Sequence, residues 1–183
     1  MRKLSIIFLI TGLSLLASAQ TTTYTAPKMP IDSNTKKITY VEVITQTGTK
    51  DTLFNRAIEW CNKFFKNAQS ATTTRNKDDG KIAGTYRFKV FNPPDKDGLK
   101  TDAGVISYSF MIESKENKYR YKITDLNLKG LSYYPLERWL DVKEQSYSPL
   151  WNYYLIQVDD YMKEFGKSLK AGMKAAKKVS DDW

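Results

Sequence analysis

The sequence predicts an α+β domain, an antiparallel sheet with two helices packed on one face. One observation is the order of its segments: a β-branched stretch, an amphipathic helix, several alternating stretches and a second amphipathic helix. Another is that the alternating stretches follow one another through polar turns, which favours antiparallel pairing. Together they indicate the order β-α-β-β-β-β-α, in which both helices cover the same side of the sheet.

The first strand and the first helix are predicted between residues 38 and 70. Ile38–Ile44 is rich in β-branched residues, which are typical of strands. The next segment has apolar residues at helical spacing on one side and polar residues on the other. The apolar side comprises Leu53, Phe54, Ala57, Trp60, Cys61, Phe64, Phe65 and Ala68. Thr49 lies where its side chain can cap the first helical turn.

Four strands are predicted next. A weak signal covers residues 70–75, and clear alternation of apolar and polar residues covers 81–91 and 104–115. The fourth strand begins with the sequence YRYKIT at Tyr119. Its Tyr and Ile side chains point to one face and its Arg, Lys and Thr side chains to the other, so we assign the former to the core. Beyond Asp125 the apolar phase shifts, which predicts a β-bulge or the end of the strand.

The C-terminal part is predicted to be helical. Residues 134–140 indicate one or two helical turns, and Ser148-Pro149 marks the start of a long amphipathic helix. Its apolar side comprises Trp151, Tyr154, Leu155, Val158, Met162, Phe165, Leu169 and Met173. Its polar side comprises Lys163, Lys167, Lys170, Lys174 and Lys177. Gly166 and Gly172 are expected to be weak points where this helix bends or frays.

The N-terminus predicts a cleaved export signal, residues 1–19. A basic start at Arg2 and Lys3 precedes an apolar run and the small residues Ala17, Ser18 and Ala19. The run is too short to span a bilayer, and a buried N-terminal helix would explain neither the basic start nor the small residues. We therefore expect a periplasmic or extracellular protein, soluble or peripherally attached to the cell envelope, with no transmembrane segment.

Four regions are predicted along the chain: the signal peptide 1–19, a flexible Thr- and Pro-rich lead-in 20–36, the sheet domain 37–130, and a helical extension 131–183 that packs on the same domain. The chain has one cysteine, so it cannot form an intramolecular disulfide and its stability depends on the core. Loss of two of the 29 basic residues with the signal, against 20 acidic ones, leaves a net charge of +7.

The segments KDTLFNRAIEWCNKFF, GKIAGTYRFKV and ISYSFMIESKENKYRYKITDL, together with the export signal, resemble domain of unknown function 4468. The residues that carry the resemblance are Lys50, Asp51, Leu53, Phe54, Trp60 and Phe64, then Gly80, Lys81, Ile82 and Gly84, then Lys118 to Tyr121. The resemblance covers about residues 38 to 130 and implies an exported Bacteroidetes protein with a TATA-binding-protein-like fold. It implies no activity and no catalytic residues, and the fold alone implies no DNA binding.

Several kinds of chemistry lack the residues that they need. The sequence has no histidine, which excludes Ser-His and Cys-His pairs and most zinc sites. The single thiol, Cys61, lies on the apolar side of a predicted helix and is expected to be buried and inert. A calcium loop starting at Asp95 would need Gly and Glu where Lys100 and Ile106 stand. We therefore predict a protein that is not an enzyme, with no catalytic residues, no metal site and no cofactor.

A non-catalytic binding module is the first functional hypothesis. Its partner would be an envelope protein, an anionic glycan or a lipid. The sheet face opposite the helices is predicted to display four basic residues, Arg87, Lys89, Arg120 and Lys122. If their strands are neighbours, these cations form a patch suited to phosphate or carboxylate groups. The alternative is that they only keep the open face hydrated.

Other hypotheses concern a membrane, a hydrolase and nucleic acid. The second half of the last helix is cationic with apolar residues opposite, as a helix at a membrane surface requires. A hydrolase would need two carboxylates to meet in space, and the candidates are Glu113, Glu116, Glu137, Asp141 and Glu144. Nucleic acid is not expected as a partner, because of export and because the YRYKIT strand separates its aromatics from its cations.

Overall fold

The structure, a computed structural model, describes residues 23–130 and 132–175. The predicted signal peptide, residues 1–19, lies outside the described residues. The strands are β1 (Tyr40–Thr45), β2 (Thr72–Asn76), β3 (Lys81–Phe91), β4 (Asp102–Lys115), β5 (Lys118–Lys129) and β6 (Tyr133–Pro135). The helices are α1 (Lys50–Phe64), α2 (Ala68–Ala71), a 3₁₀ helix (Leu136–Leu140) and α3 (Leu150–Gly172). The predicted α+β class and the order of the main elements are confirmed.

The strands form one antiparallel sheet in the order β1-β5-β4-β3-β2, and β6 pairs with the end of β5. Hairpins connect β2 to β3, β3 to β4 and β4 to β5, whereas β1 crosses over through α1 to the far side of the sheet. The strands β1 and β2 are therefore the two edges. The shortest strand, β6, was not predicted, because three residues carry too little alternation to read.

Alternation along the strands separates a core face from an open face, as predicted. In β4 every second residue from Ile106 to Ser114 is buried, and the residues between them are half-buried. The predicted bulge in β5 is confirmed at Asp125, which has a φ of 56°, and the register shifts at the same place. After this bulge Leu126 is buried, which explains the shifted phase of the sequence.

The first helix begins and ends through identifiable contacts. The side chain of Thr49 accepts a hydrogen bond from the backbone N of Thr52 at 3.1 Å, which confirms the predicted cap. The helix ends earlier than the apolar pattern predicts, because Phe65 takes an extended conformation. This turn brings the Phe65 ring to 4.8 Å from the ring of Phe110 on the sheet, so packing decides the end of the helix.

The last helix packs on the same face of the sheet as α1. Its apolar side is buried as far as the end of the helix, with Phe165, Leu169 and Met173 each at 0% exposure. The Phe165 ring lies 4.9 Å from Trp60 on α1 and 6.1 Å from Phe110 on β4. The two helices and the core face of the sheet thus share one hydrophobic core. Among the described helices, none is long and apolar enough to cross a membrane.

The described part of the lead-in, residues 23–36, contacts the domain, although the sequence predicts a flexible segment. Met29 is buried, and the carbonyl oxygen of Pro30 accepts a hydrogen bond from the backbone N of Thr39 at 2.8 Å. Closer to the N-terminus, the carbonyl oxygen of Tyr24 accepts one from Asn152 on α3 at 2.9 Å. These contacts involve single residues and not a periodic run of apolar residues, so they could not be predicted from the sequence pattern.

Candidate functional site

The open face of the sheet, opposite α1 and α3, is the candidate site. Its side chains are exposed or half-buried, since the described helices pack on the other face. The members on the three central strands include Thr85, Arg87, Lys89, Ser107, Ser109, Met111, Glu113, Arg120, Lys122 and Thr124. This composition of hydroxyl and charged groups suits a polar surface ligand better than an apolar one.

The four predicted basic residues all lie on this face, but they do not form one patch. Arg87 and Lys89 are on β3 and Arg120 and Lys122 are on β5, with β4 between the two strands. Arg87 pairs with Ser107 of β4, whereas Lys122 pairs with Met111, four residues further along. Strand spacing and rise then separate the two Cα atoms by roughly 16 Å. The condition for a single patch, neighbouring strands, is not met, and whether either pair binds a ligand stays a prediction.

Two of the four cations are paired with carboxylates on the same face. Lys89 lies 2.6 Å from Asp102, and its hydrogen bond holds the pKa of that carboxyl below its usual value. Arg120 donates to Glu113 on the neighbouring strand, which raises the pKa of the guanidinium. In the part of the chain that the structure describes, Lys122 makes no ion pair. Part of the predicted positive charge is thus neutralised locally.

Lysines of the β4–β5 hairpin extend the cationic surface at one end of the open face. Lys115 and Lys118 are cross-strand partners, both exposed, on the same face as Arg120 and Lys122. We call these four residues the cationic corner. Sequence reasoning missed the two hairpin lysines. The sequence feature that could have identified them is the two-residue turn Glu116–Asn117, because the residues on either side of such a turn pair across the hairpin.

A pocket of about 270 Å³ lies at the cationic corner. It is lined by Val43, Glu113, Lys115, Lys118, Tyr119 and Arg120. The edge strand β1 borders the corner, since Val41 pairs with Lys122, Val43 with Arg120 and Thr45 with Lys118. The pocket therefore combines cations with an apolar wall and one carboxylate, and it can hold an anionic group beside an apolar one.

The structure divides the five carboxylates of the hydrolase hypothesis into two groups: Glu113 and Glu116 near one end of the sheet, and Glu137, Asp141 and Glu144 on and after the 3₁₀ helix. Glu113 pairs with Arg120 near the hairpin end of the sheet, and Glu116 accepts from the backbone N of Lys50 there. Glu137 accepts from the backbone N of Ile38, which precedes β1 at the opposite end. Within residues 23–130 and 132–175, no cluster of three or more acidic or thiol side chains could hold a metal ion.

Two other candidates from the sequence are buried. Cys61 is fully buried, and burial raises the pKa of its thiol to about 12, so the reactive thiolate is not formed at neutral pH. The apolar side of α3 packs on the domain through Met173, so Phe165, Leu169 and Met173 are not available to a membrane surface.

The sheet domain is similar to one known protein family. Residues 40–129 match the family described as a domain of unknown function (DUF4468) with TBP-like fold. This match spans β1 to β5 and leaves the lead-in and α3 outside it. Among curated proteins, none matches the sequence significantly.

Two solved structures share the fold. A DUF4468 family protein from Bacteroides ovatus has a TM-score of 0.64 and 12% identity, over 85% of this chain and 95% of its own. A TBP-like protein from Parabacteroides distasonis has a TM-score of 0.52 and 16% identity, over 73% of this chain and 93% of its own. At such identities the likeness concerns the fold alone. The 85% of this chain that is covered exceeds the span of the family match.

Proposed function

The chain belongs, through residues 40–129, to the DUF4468 family of TBP-like fold, and we propose that it is an exported, non-catalytic module that binds an anionic partner. The partner is an envelope protein, glycan or lipid that presents carboxylate or phosphate groups. The TBP-like fold is no argument for nucleic acid, because functions differ among proteins of one fold.

The cationic corner is the observation that carries this proposal. Lys115, Lys118 and Lys122 are displayed on adjacent strands with no ion-pair partner among the described residues. Elsewhere on the face, Lys89 has its own carboxylate. Several exposed cations close together attract anions through their summed field and through charge-assisted hydrogen bonds.

The predicted export signal supports an envelope role. The basic, apolar and small-residue segments of residues 1–19 have the order of a secretory signal. A mature protein that starts at Gln20 would carry a net positive charge next to envelope components, many of which are anionic. We place it in the periplasm or outside the cell, soluble or peripherally attached.

A charge-neutral variant of the corner tests the binding role. In Lys115→Gln/Lys118→Gln/Lys122→Gln, we expect salt-sensitive binding to weaken by roughly tenfold, because two exposed cations and the half-buried Lys122 each contribute a modest amount. Three probes distinguish the partner classes: phosphatidylglycerol vesicles, a polyuronic-acid glycan and polyglutamate. Binding is titrated at low and moderate salt, since screening acts on exposed charges.

The matched control is Lys63→Gln/Lys66→Gln/Lys167→Gln, which removes the same charge from exposed positions on α1, in the turn that follows it, and on α3. We expect this variant to bind nearly as well as the original protein. Equal loss in both variants would mean that net charge, not the corner, attracts the probes. No salt-sensitive binding to any of the three probes would contradict the proposal as a whole.

A further inference from the structure

We propose that the partner is a polypeptide, which binds as an extended strand on the free edge of β1 and directs its carboxylates toward the cationic corner. The charge part of this inference rests on the proposed function. The strand part rests on the geometry of β1, which lies beside the corner and forms the edge of the sheet.

Three residues of β1 turn their backbone groups away from the sheet. The backbone N of Thr39 donates outward to Pro30, whereas that of Gln46 donates inward to Asn117 at 3.1 Å. Backbone N–H and C=O groups of an antiparallel strand alternate between its two sides. Val41, Val43 and Thr45 therefore point theirs outward, and β5 is the only described strand that pairs with β1.

This edge has few of the features that usually protect an edge strand, and the one charged residue of β1, Glu42, is paired with Lys170 on the helix side of the sheet. Natural edges are protected by charged side chains, Pro, bulges, shortness or a covering segment, because unpaired backbone groups attract another strand. At the opposite edge, β2 carries Arg75 and a register shift next to Thr72. In contrast, β1 has the sequence YVEVIT and pairs with β5 in unbroken register, and Val41 and Val43 are 57% and 65% exposed.

A groove shows where the added strand would begin. Pro30 and Ile31 already lie outside Ile38 and Thr39, in the line that an additional strand would follow. Beyond them the groove, of about 570 Å³, is bordered by Val41 and Glu42. The lead-in thus covers the start of this edge and leaves the stretch from Val41 to Thr45 open.

The positive charge of the cationic corner favours an acidic strand as the partner. An added strand would lie two strand spacings, about 10 Å, from β5, with β1 between them. The side chains of Val41 and Thr45 are short, so their cross-strand partners Lys122 and Lys118 can extend over them toward the added strand. Carboxylates on its open-face side would meet these ammonium groups. A second copy of this chain fits poorly, since it would bring two cationic corners within about 14 Å of each other.

The test uses a short peptide of alternating glutamate and valine, with a glutamine–valine peptide as its charge control. Val43→Pro removes one outward N–H, and proline is tolerated on an edge strand where that N–H faces solvent. Val43→Thr keeps the N–H and the β-branched shape. We expect Val43→Pro to weaken binding of the acidic peptide by about tenfold or more, and Val43→Thr to leave it nearly unchanged.

A second measurement leaves the protein unaltered, in case Val43→Pro unfolds it. Peptides can be N-methylated either at every glutamate or at every valine. Since the N–H groups of a strand alternate between its two sides, only one of these two patterns removes the N–H groups that would donate to β1. We expect one methylated peptide to bind like the parent and the other to lose binding. The glutamine–valine peptide should bind more weakly and with less dependence on salt.

The outcomes separate this inference from the proposed function. If both methylated peptides bind equally while the corner variant loses binding, strand addition is wrong and the proposed function stands. If neither the corner variant nor the methylation changes binding, both are wrong. A dimer that Val43→Pro dissociates would identify a second copy as the occupant and overturn the inference. So would peptide binding that appears only after deletion of residues 176–183.

Discussion

At Gly166 the backbone of α3 passes directly over the side chain of Tyr121. A Cβ atom at this position would lie 2.5 Å from the Tyr121 hydroxyl oxygen and 3.1 Å from the ring carbon that bears it. The same hydroxyl donates to Glu42 at 3.0 Å, and Lys170 of α3 donates to that carboxylate as well. Gly166 is thus a close contact between helix and sheet, in the middle of a continuous helix, and not the weak point that the sequence predicts.

We expect Gly166→Ala to destabilise the protein by about 1–3 kcal/mol, as extra atoms in a packed site do. On an exposed helix the same change would stabilise it by about 1 kcal/mol. The measurement is the free energy of unfolding in urea, with Tyr121→Phe as a second background. Because Phe lacks the hydroxyl, the loss should be smaller there. A gain in stability in both backgrounds would contradict the close contact.

At the scale of the elements, α1 contacts α3 through Trp60. Its indole N donates to the Ser168 hydroxyl of α3 at 3.0 Å, and its ring stacks on Phe64 and meets Phe165 edge to face. Gly172 permits this contact, since a Cβ there would lie 2.7 Å from the indole. The C-terminal half of α3 is therefore part of the core and not a free basic helix.

Truncation of Trp60 tests this helix–helix contact. We expect Trp60→Ala to lower the free energy of unfolding by about 3–5 kcal/mol, the usual loss for a buried aromatic. Ser168→Ala should lower it by about 0.5–1.5 kcal/mol, the net value of a hydrogen bond. In a double-mutant cycle the two losses should not be additive. An unchanged melting curve for Trp60→Ala would place the ring outside the core.

For the whole molecule, the helices on one face and the cationic corner on the other divide the domain into a structural side and a candidate binding side. The core face carries a cluster of aromatic rings in which Phe165 contacts Trp60 and Phe110. The open face carries the cationic corner with no described helix above it. A surface substitution on the open face should therefore change stability by no more than about 0.5 kcal/mol, so binding can be altered there without loss of the fold.

The predicted export concerns the whole chain, and it can be measured directly. We expect the native protein, isolated from the periplasm or the medium, to begin at Gln20 in mass spectrometry, because a signal peptidase cleaves after small residues. Replacing Ala17 and Ala19 by large residues should leave the signal attached. Recovery of the intact chain from Met1, in the cytoplasm, would contradict export.

The sequence by itself determined which side of each main element faces the core. Tyr119 and Tyr121 are buried and Arg120 is exposed, as the alternation of YRYKIT predicts, because a strand turns successive side chains to opposite faces. The helical stripe around Trp60 and the bulge at Asp125 were predicted for the same reason. Local periodicity is sufficient for these features.

Only the tertiary structure decided which strands are neighbours. Side chains alternate between the two faces of a strand whichever strand is its neighbour. Alternation therefore could not show that β4 separates Arg87 from Lys122 or that β1 lies beside β5. That order divides the predicted patch, assembles the cationic corner from two predicted and two unpredicted residues, and leaves Val41 and Val43 on an open edge. Strand order depends on contacts between distant parts of the chain, which alternation within a single strand does not specify.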